Sequence, residues 1–419
     1  MHQLKKMGAI GGAISLALCW PLAVGQIGHN VINDSISQLN SQSIQAEIVQ
    51  YDRGYLSSQV KTRYVITDPI LAQQLALDGL PSEYVVNSQV QHGLFSLTAA
   101  SVLENMDDLP LTLNTVTQLN GNTDYSLKLE NWHQANDGAM MSITPSELSG
   151  HVTVLGELTY KLTIPSIEVD FNSGEKFLVS GIEGSGDGKM QSLFWLGQQE
   201  IKIGDMSLLD ESQTPIVAMK NAQYRFSTSL TEVSERVNSQ HIINIENVQS
   251  TQGDVDKFAM DLEFGDLDVT SFEYLVGLYK NNPQLTPEQI ESAIPYIDTL
   301  FAKGFHLTMN NLSMTLEENG QFESQWRVAV PEGTENISKN PDAIIPALTG
   351  NLDTYISDEL LLHYPLISEA VEEATLNEFV EKTEQGYQVK ADLKEGNLVF
   401  SNGQQIPLLA LLLPIMIQQ

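Results

Sequence analysis

Apolar and polar positions alternate along most of the chain with the period of two that marks a half-buried strand. Ile44, Ala46 and Ile48 fall on one face, with Gln45, Glu47 and Val49 opposite. Leu56 to Ile66 continues the pattern, with Ser57, Gln59, Lys61 and Arg63 interleaved. Asp52-Arg53-Gly54 joins the two runs as a turn in which Gly54 can take positive φ. Strand-like alternation recurs over 83–90, 111–119, 125–131, 148–155, 158–171 and 177–182, and Asn120-Gly121 and Asn172-Ser173-Gly174 supply hairpin turns. It persists through 201–203, 223–230, 241–248 and 258–267. Repeated hairpins predict a mainly β, β-rich α+β fold: a long, curved, largely antiparallel sheet rather than a doubly wound one.

Two tracts in the C-terminal half change period. Ser271–Tyr279 places Phe272, Leu275 and Leu278 at one-turn spacing. Thr286-Pro287-Glu288-Gln289 then reads as a helix start, with Thr as N-cap, Pro at the first helical position and Gln completing a capping box. Ile290, Ile294, Ile297, Leu300 and Phe301 form one apolar face, Pro295 should kink the helix and Gly304 can end it. Strands are expected again over 305–316 and 322–330. A second helical tract is expected to open at Asn340-Pro341-Asp342, to be interrupted by a strand at 352–356, and to resume over 366–383. The chain closes with a hairpin, 387–393 with 398–401, and an apolar tail, Ile406–Ile417, read as a core-packing helix. That tail is too short to span a bilayer.

The N-terminus has a different character. His2, Lys5 and Lys6 form a short basic head, and no side chain from Met7 to Val24 is ionisable except the thiol of Cys19. As a helix this run rises about 27 Å, close to the hydrocarbon thickness of a bilayer. Residues 1–26 therefore read as a signal or anchor segment, with the basic head inside a bacterial inner membrane and the body in the periplasm. The segment either stays as a single-pass anchor or is cleaved near Gly25, after the small-residue stretch Ala23-Val24-Gly25, to release a soluble periplasmic protein. A lipoprotein site at Cys19 is disfavoured by bulky Leu18. The remainder divides into a β-rich body, 27–268, and a continuation of the sheet with helical tracts and a terminal hairpin, 269–419.

Composition narrows the function. Lys and Arg number 21 against 53 Asp and Glu, a formal charge of −32, which repels phosphate backbones and anionic lipid surfaces and argues against nucleic-acid binding. Cys19 is the only cysteine, so the body carries neither a disulfide nor thiolate chemistry and depends on burial.

No catalytic, cofactor-binding or metal-binding residues emerge. The run Gly181-Ile182-Glu183-Gly184-Ser185-Gly186-Asp187-Gly188 lacks the spacing of a nucleophile elbow, a P-loop or a dinucleotide fingerprint. Asp187 with Glu183 is too poor in oxygen ligands for Ca²⁺, and a flexible hairpin end is the expectation there. The histidines (His2, His29, His92, His133, His151, His241, His306 and His363) show neither i, i+4 spacing nor a Cys/His cluster. His92, beside Gly93, is expected to hydrogen-bond a turn. Arg53 is expected to form a turn salt bridge with Asp52 or to lie buried. Phe194-Trp195 and Trp326 sit in strand-like runs where half-buried aromatics are ordinary.

Two short motifs resemble a known family. Tyr51-Asp52-Arg53-Gly54-Tyr55-Leu56-Ser57-Ser58 is similar to the Tyr-x-Arg-Gly-x-x-Ser-Ser signature of YdgA-like proteins, and His92-Gly93-Leu94-Phe95-Ser96-Leu97 to their His-Gly-Pro-Phe-Pro element. Leu94 and Ser96 stand where proline is usual. The C-terminal residues Gly386–Leu393 and Leu398–Gly403 also match. The resemblance implies an envelope protein of Gram-negative bacteria with a domain of unknown function and no catalytic residues to carry over. It also implies repetitive strands in the style of AsmA-like proteins, which are linked to lipid movement or envelope assembly.

The expectation is thus a non-enzymatic, periplasm-facing envelope protein without a cofactor. It would bind a lipid or other hydrophobic ligand along its sheet, and touch the inner membrane through its N-terminal segment. The alternative is a structural or assembly factor acting through an envelope protein partner or as a homo-oligomer. The deciding feature is whether the helices at 271–303 and 340–383 leave an apolar sheet face open or fill it. Cleavage is decided by the intact mass of the mature chain: loss of residues 1–25 identifies a released protein, and retention identifies an anchor.

Overall fold

The structure, a computed structural model, describes Val24, Gln26, Ile32, Asn40 and residues 44–411, apart from 78–80, 105–108, 136–137, 192–193, 232–234, 252, 282–284 and 317–318. Most of the expected leader and residues 412–417 of the apolar tail lie outside the described residues, while 408–411 are helical. Strand residues outnumber helical ones by 61% to 19%, which fixes the mainly β class. The chain divides into two compact units, Met1–Glu168 and Val169–Gln419.

The first unit is an antiparallel meander. Its strands are β1 (Ile44–Arg53), β2 (Ser57–Ile66), β3 (Glu83–His92), β4 (Ser96–Leu103), β5 (Leu111–Gln118) and β6 (Thr123–Leu129). A small hairpin, β7 (Trp132–Ala135) with β8 (Ala139–Ile143), precedes β9 (Ser146–Val152) and β10 (Glu157–Phe171). Each of β1 to β5 pairs with the next, and β9 then pairs with both β6 and β10. The alternation seen in the sequence sets which face is covered. Val60, Val90 and Leu97 bury together on one face, and Val24, fully buried, packs onto them from outside the ladder.

The second unit is a longer ladder built of β11 (Lys176–Gln191), β12 (Phe194–Leu209), β13 (Pro215–Thr231), β14 (Arg236–Ser250) and β15 (Val255–Asp268). It continues through β16 (Phe305–Leu316), β17 (Gly320–Val330), β18 (Thr349–Ser357), the short β19 (Glu381–Lys382), β20 (Gly386–Lys394), β21 (Asn397–Phe400) and β22 (Gln405–Pro407). β15 pairs directly with β16, so the helices between them are an excursion from an unbroken ladder. β18 likewise pairs with β20.

Six α-helices connect the strands among the described residues. The first, α1 (Pro69–Leu77), links β2 to β3 and was not evident in the alternation; Asp68 caps it, its Oδ1 accepting from the backbone of Ile70 and Leu71 at 2.9 and 3.1 Å. α2 (Val269–Asn281) and α3 (Pro287–Lys303) fall where the period changes. The capping box at Thr286 and Gln289 forms as the sequence predicts, Pro295 stands inside α3, and Gly304, at φ 72°, ends it by donating to Phe301 O. Tyr274 stacks on Tyr296 at 3.8 Å to hold the two helices together.

At Asn340 the helix expectation is corrected. Its side chain makes no cap, and only a 3₁₀ turn (Pro341–Ala343) and one turn of helix, α4 (Ile344–Ala347), precede β18. The later tract divides in two, α5 (Asp358–His363), capped by Ser357, and α6 (Pro365–Leu376). Helix 366–383 was too long an expectation. The chain leaves α6 at Asn377, and Phe379 turns back onto the sheet against Phe400, ring centroids 4.7 Å apart.

The largest correction concerns residues 181–188. They form no hairpin end; they lie inside β11, paired with β12 from Glu183↔Lys202 to Gly188↔Gly197. Glycine is required by close backbone approach. A Cβ at Gly197, which has φ 140°, would stand 2.1 Å from Asp187 O. Gly197→Ala is therefore expected to destabilise the protein by at least about 1–3 kcal/mol, read as a lower urea midpoint at an unchanged m-value.

Candidate functional site

Cross-strand partners in an antiparallel sheet place their side chains on the same face, so register alone defines surfaces. In the second unit one row runs Phe226, His241, Leu262, Met309, Trp326, Leu352, Ala391 and Phe400, from β13 to β21. The neighbouring row contains Ile201, Tyr224, Ile243, Met260 and Leu312. The opposite face pairs Glu200 with Arg225, Lys202 with Gln223 and Gln240 with Glu263. This sheet is therefore apolar on one side and charged on the other.

The helices cover the apolar face unevenly. Phe379, beyond α6, shields Phe400, and Leu360 of α5 is 1% exposed. At another edge, α2 and α3 are tied to the ends of β14 and β15. Arg236 donates to the carbonyls of Lys303 and Gly304 at 2.6 and 3.0 Å. Asp268 caps α2 through Ser271 and pairs with Lys303 Nζ. Burial alone would raise the Asp268 pKa, but the hydrogen bonds from Lys303 and Ser271 outweigh it and hold the carboxyl below its ordinary value. Between these covered ends, Tyr224, His241, Ile243, Met260, Leu262 and Phe264 line a shallow hollow of about 500 Å³. Phe264 and Ile201 stay 37% and 39% exposed.

His241 is the polar centre of that hollow. Its Nδ1 lies 2.8 Å from Tyr224 Oη and its Nε2 3.1 Å from Ser239 Oγ. The rings of Tyr224, Phe226 and Phe264 surround it with centroids 6.1, 5.0 and 5.9 Å away. Burial pushes the imidazole pKa down and the Tyr224 phenol up, so neither is charged at neutral pH. One register row away, the buried hydroxyl of Thr228 has no hydrogen-bond partner among the described residues. No local motif marks this cluster, because its members come from three strands and only register unites them.

The residues singled out by motif lie in the first unit. His92 is buried, its Nδ1 3.2 Å from Tyr55 O and its Nε2 2.8 Å from Ser58 Oγ. Since a carbonyl only accepts, Nδ1 carries the proton and Nε2 accepts from Ser58. The two motifs thus meet: Gly54 N donates to Ser57 O, Gly93 N to Ser96 O, and His92 N to Leu56 O, at 2.7, 2.9 and 2.8 Å. Arg53 departs from expectation. It is exposed and bonds Gln26, while Asp52 accepts from Gln50, so no turn salt bridge joins Arg53 to Asp52.

The remaining candidates are dispersed. Glu183 and Asp187 stand four residues apart along β11, about 13 Å, and Asp187 accepts from Gln198. His151 pairs with Asp124 and His133 with Ser142. His306 lies between Glu263 and Asp266, at 3.5 and 3.3 Å. No group of three His, Cys, Asp or Glu placed to hold a metal ion occurs among the described residues. His2, His29 and Cys19 are outside the described residues.

An antiparallel, two-unit sheet protein with one half-open apolar face is the class these features define. The chain belongs to DUF945, a family of bacterial proteins of unknown function, whose model matches residues 4–409. No curated protein and no solved structure matches it. No described helix is long and apolar enough to cross a membrane.

The depressed pKa of His241 sets a pH dependence. The unfolded chain takes up a proton as pH falls through about 6.5, while the folded imidazole resists it, so this group's contribution to stability is full above that pH and is lost below it. The Tm of the wild type is expected to fall relative to His241→Phe between about pH 7.5 and about 5.5. A difference independent of pH overturns the assignment.

Proposed function

We propose that this is a non-catalytic, periplasm-facing envelope protein that holds the acyl chain of a lipid against the apolar face of its second unit. The observation that carries the reading is the hollow around His241, half-exposed and lined by uncharged side chains in a protein of formal charge −32. Its volume falls within the range of about 300–1,000 Å³ typical of ligand pockets. Four strands, from Ile201 to Met260, span about 15 Å, comparable with one leaflet of a bilayer's hydrocarbon. The Thr228 hydroxyl, one register row from His241 and without a hydrogen-bond partner among the described residues, offers a group for a lipid's polar end.

The location rests on the uncharged run from Met7 to Val24 and on the likeness of the two hairpin motifs to YdgA-like proteins. Val24 supports a retained anchor. Cleavage at Gly25 would remove a side chain that is fully buried against Val60, Val90 and Leu97.

Native mass spectrometry of protein purified from membranes, followed by lipid extraction, tests the reading. The expected result is a co-purifying acylated lipid, lost at least about tenfold in Ile243→Asp, the equivalent of about 1.4 kcal/mol, with circular dichroism unchanged. Protein that carries no lipid sinks the acyl-chain proposal and leaves the sheet face to a protein partner or a second copy.

A further inference from the structure

We propose that the two hairpin turns of the first unit, Gly54–Ser57 and Gly93–Ser96, insert their apolar tips into the interfacial layer of a phospholipid bilayer. The inference concerns a different surface from the acyl-chain hollow and rests only on the membrane address given above.

Register brings the tips together. β2 pairs with β3 from Ser57↔Gln91, which sets both turns at the same end of the ladder, and His92 bonds Tyr55 O and Leu56 O across the gap. The tips present large apolar side chains outward: Phe95 is 70% exposed, Leu56 61%, Leu94 59% and Tyr55 43%. In a chain with 53 acidic residues, neither 54–60 nor 93–103 contains a charged one. The other end of the same strands is ionic, with Arg63 between Glu47 and Glu83 at 2.5 and 3.7 Å. One end of this ladder is thus suited to water and the other to a lipid boundary, where aromatic and aliphatic side chains are favoured and carboxylates are repelled by anionic headgroups.

The N-terminal run indicates what covers the tips. It ends at Val24, which packs on Leu97 and Val90 immediately behind the Gly93–Ser96 turn, and Gln26 bonds Arg53 immediately before the Gly54–Ser57 turn. An uncharged segment long enough to cross a bilayer therefore reaches the folded unit beside the four exposed side chains. A membrane holding that segment meets the tips first.

The test uses the full chain with its only cysteine removed, Cys19→Ser, and an environment-sensitive fluorophore on Phe95→Cys or, separately, Ile70→Cys. Ile70 is 71% exposed and lies beyond the far end of β2, about 33 Å along the strand from the tips. Both proteins are reconstituted into phosphatidylethanolamine–phosphatidylglycerol vesicles. The expected result is a blue shift of the Phe95 label and its quenching by bilayer-borne doxyl groups, with neither seen at Ile70. Protein that floats with the vesicles while both labels stay in water overturns tip insertion and leaves the address standing. Protein that does not float overturns both. A blue shift that grows with protein concentration in detergent alone assigns the tips to a second copy and also overturns the proposal.

Discussion

The structure depends on strand register. With no cysteine in the body, no covalent cross-link fixes the fold, and the described helices are few and short beside strands of up to 17 residues. A one-residue slip of β14 against β13 would carry His241 and Ile243 to the charged face and bring Gln240 and Ile242 among the apolar rows. Long strands make such a slip costly, because every pair along the ladder is mismatched at once. The bulges are placed with the same consequence. In β15 and β16 the shift between Asp261 and Leu262 lets Leu262 meet Met309 and keeps the apolar row continuous.

That dependence explains what the sequence disclosed. Alternation is a local property, so strands, the Thr286 capping box and the Gly304 stop were legible from neighbouring residues, whereas the turn expected at Asp52-Arg53-Gly54 falls later, over Gly54–Ser57, without positive φ at Gly54. The glycine run at 181–188 misled because its composition is that of a loop, whereas its cause is non-local. Gly188 and Gly197 accommodate each other's backbone across two strands, and nothing within either segment reveals the partner. Asn340 failed for the converse reason. The local cap signal is sound, but β18 begins so soon afterwards that the chain has room for only one turn of helix. Helix α1 was missed although Asp68-Pro69 carries a cap, since a short apolar stretch between two strands resembles a third.

The candidate site was less legible than the fold. His241 has no motif, and its aromatic neighbours come from β13 and β15. Sequence could pose the question of whether the helices fill the apolar face, and the answer is divided. α5 and Phe379 cover the β17–β21 side, while α2 and α3 are fastened at the ends of β14 and β15 through Arg236 and Asp268, leaving the hollow between. Those fastenings are polar and lie at the margin, so they hold the helices without placing charge on the apolar rows.

The first unit uses the same pattern for another purpose. There Val24 packs on the apolar face at Val60, Val90 and Leu97, and large apolar side chains are exposed at the turns. Burying His92 between the two motifs makes this arrangement specific, because its ring satisfies a carbonyl on one tip and a serine beneath it, and an imidazole reaches both only when the hairpins lie side by side. The family-like residues therefore act as a clasp: Gly54 and Gly93 close the turns, Ser58 and His92 join them, and the intervening Tyr55, Leu56, Leu94 and Phe95 are left facing outward. A clasp built solely for stability would have no need of apolar tips, since polar residues close such turns equally well. Their apolar character, at the end of the ladder where the uncharged N-terminal run arrives, is the feature that stability leaves unexplained and contact with a lipid boundary accounts for.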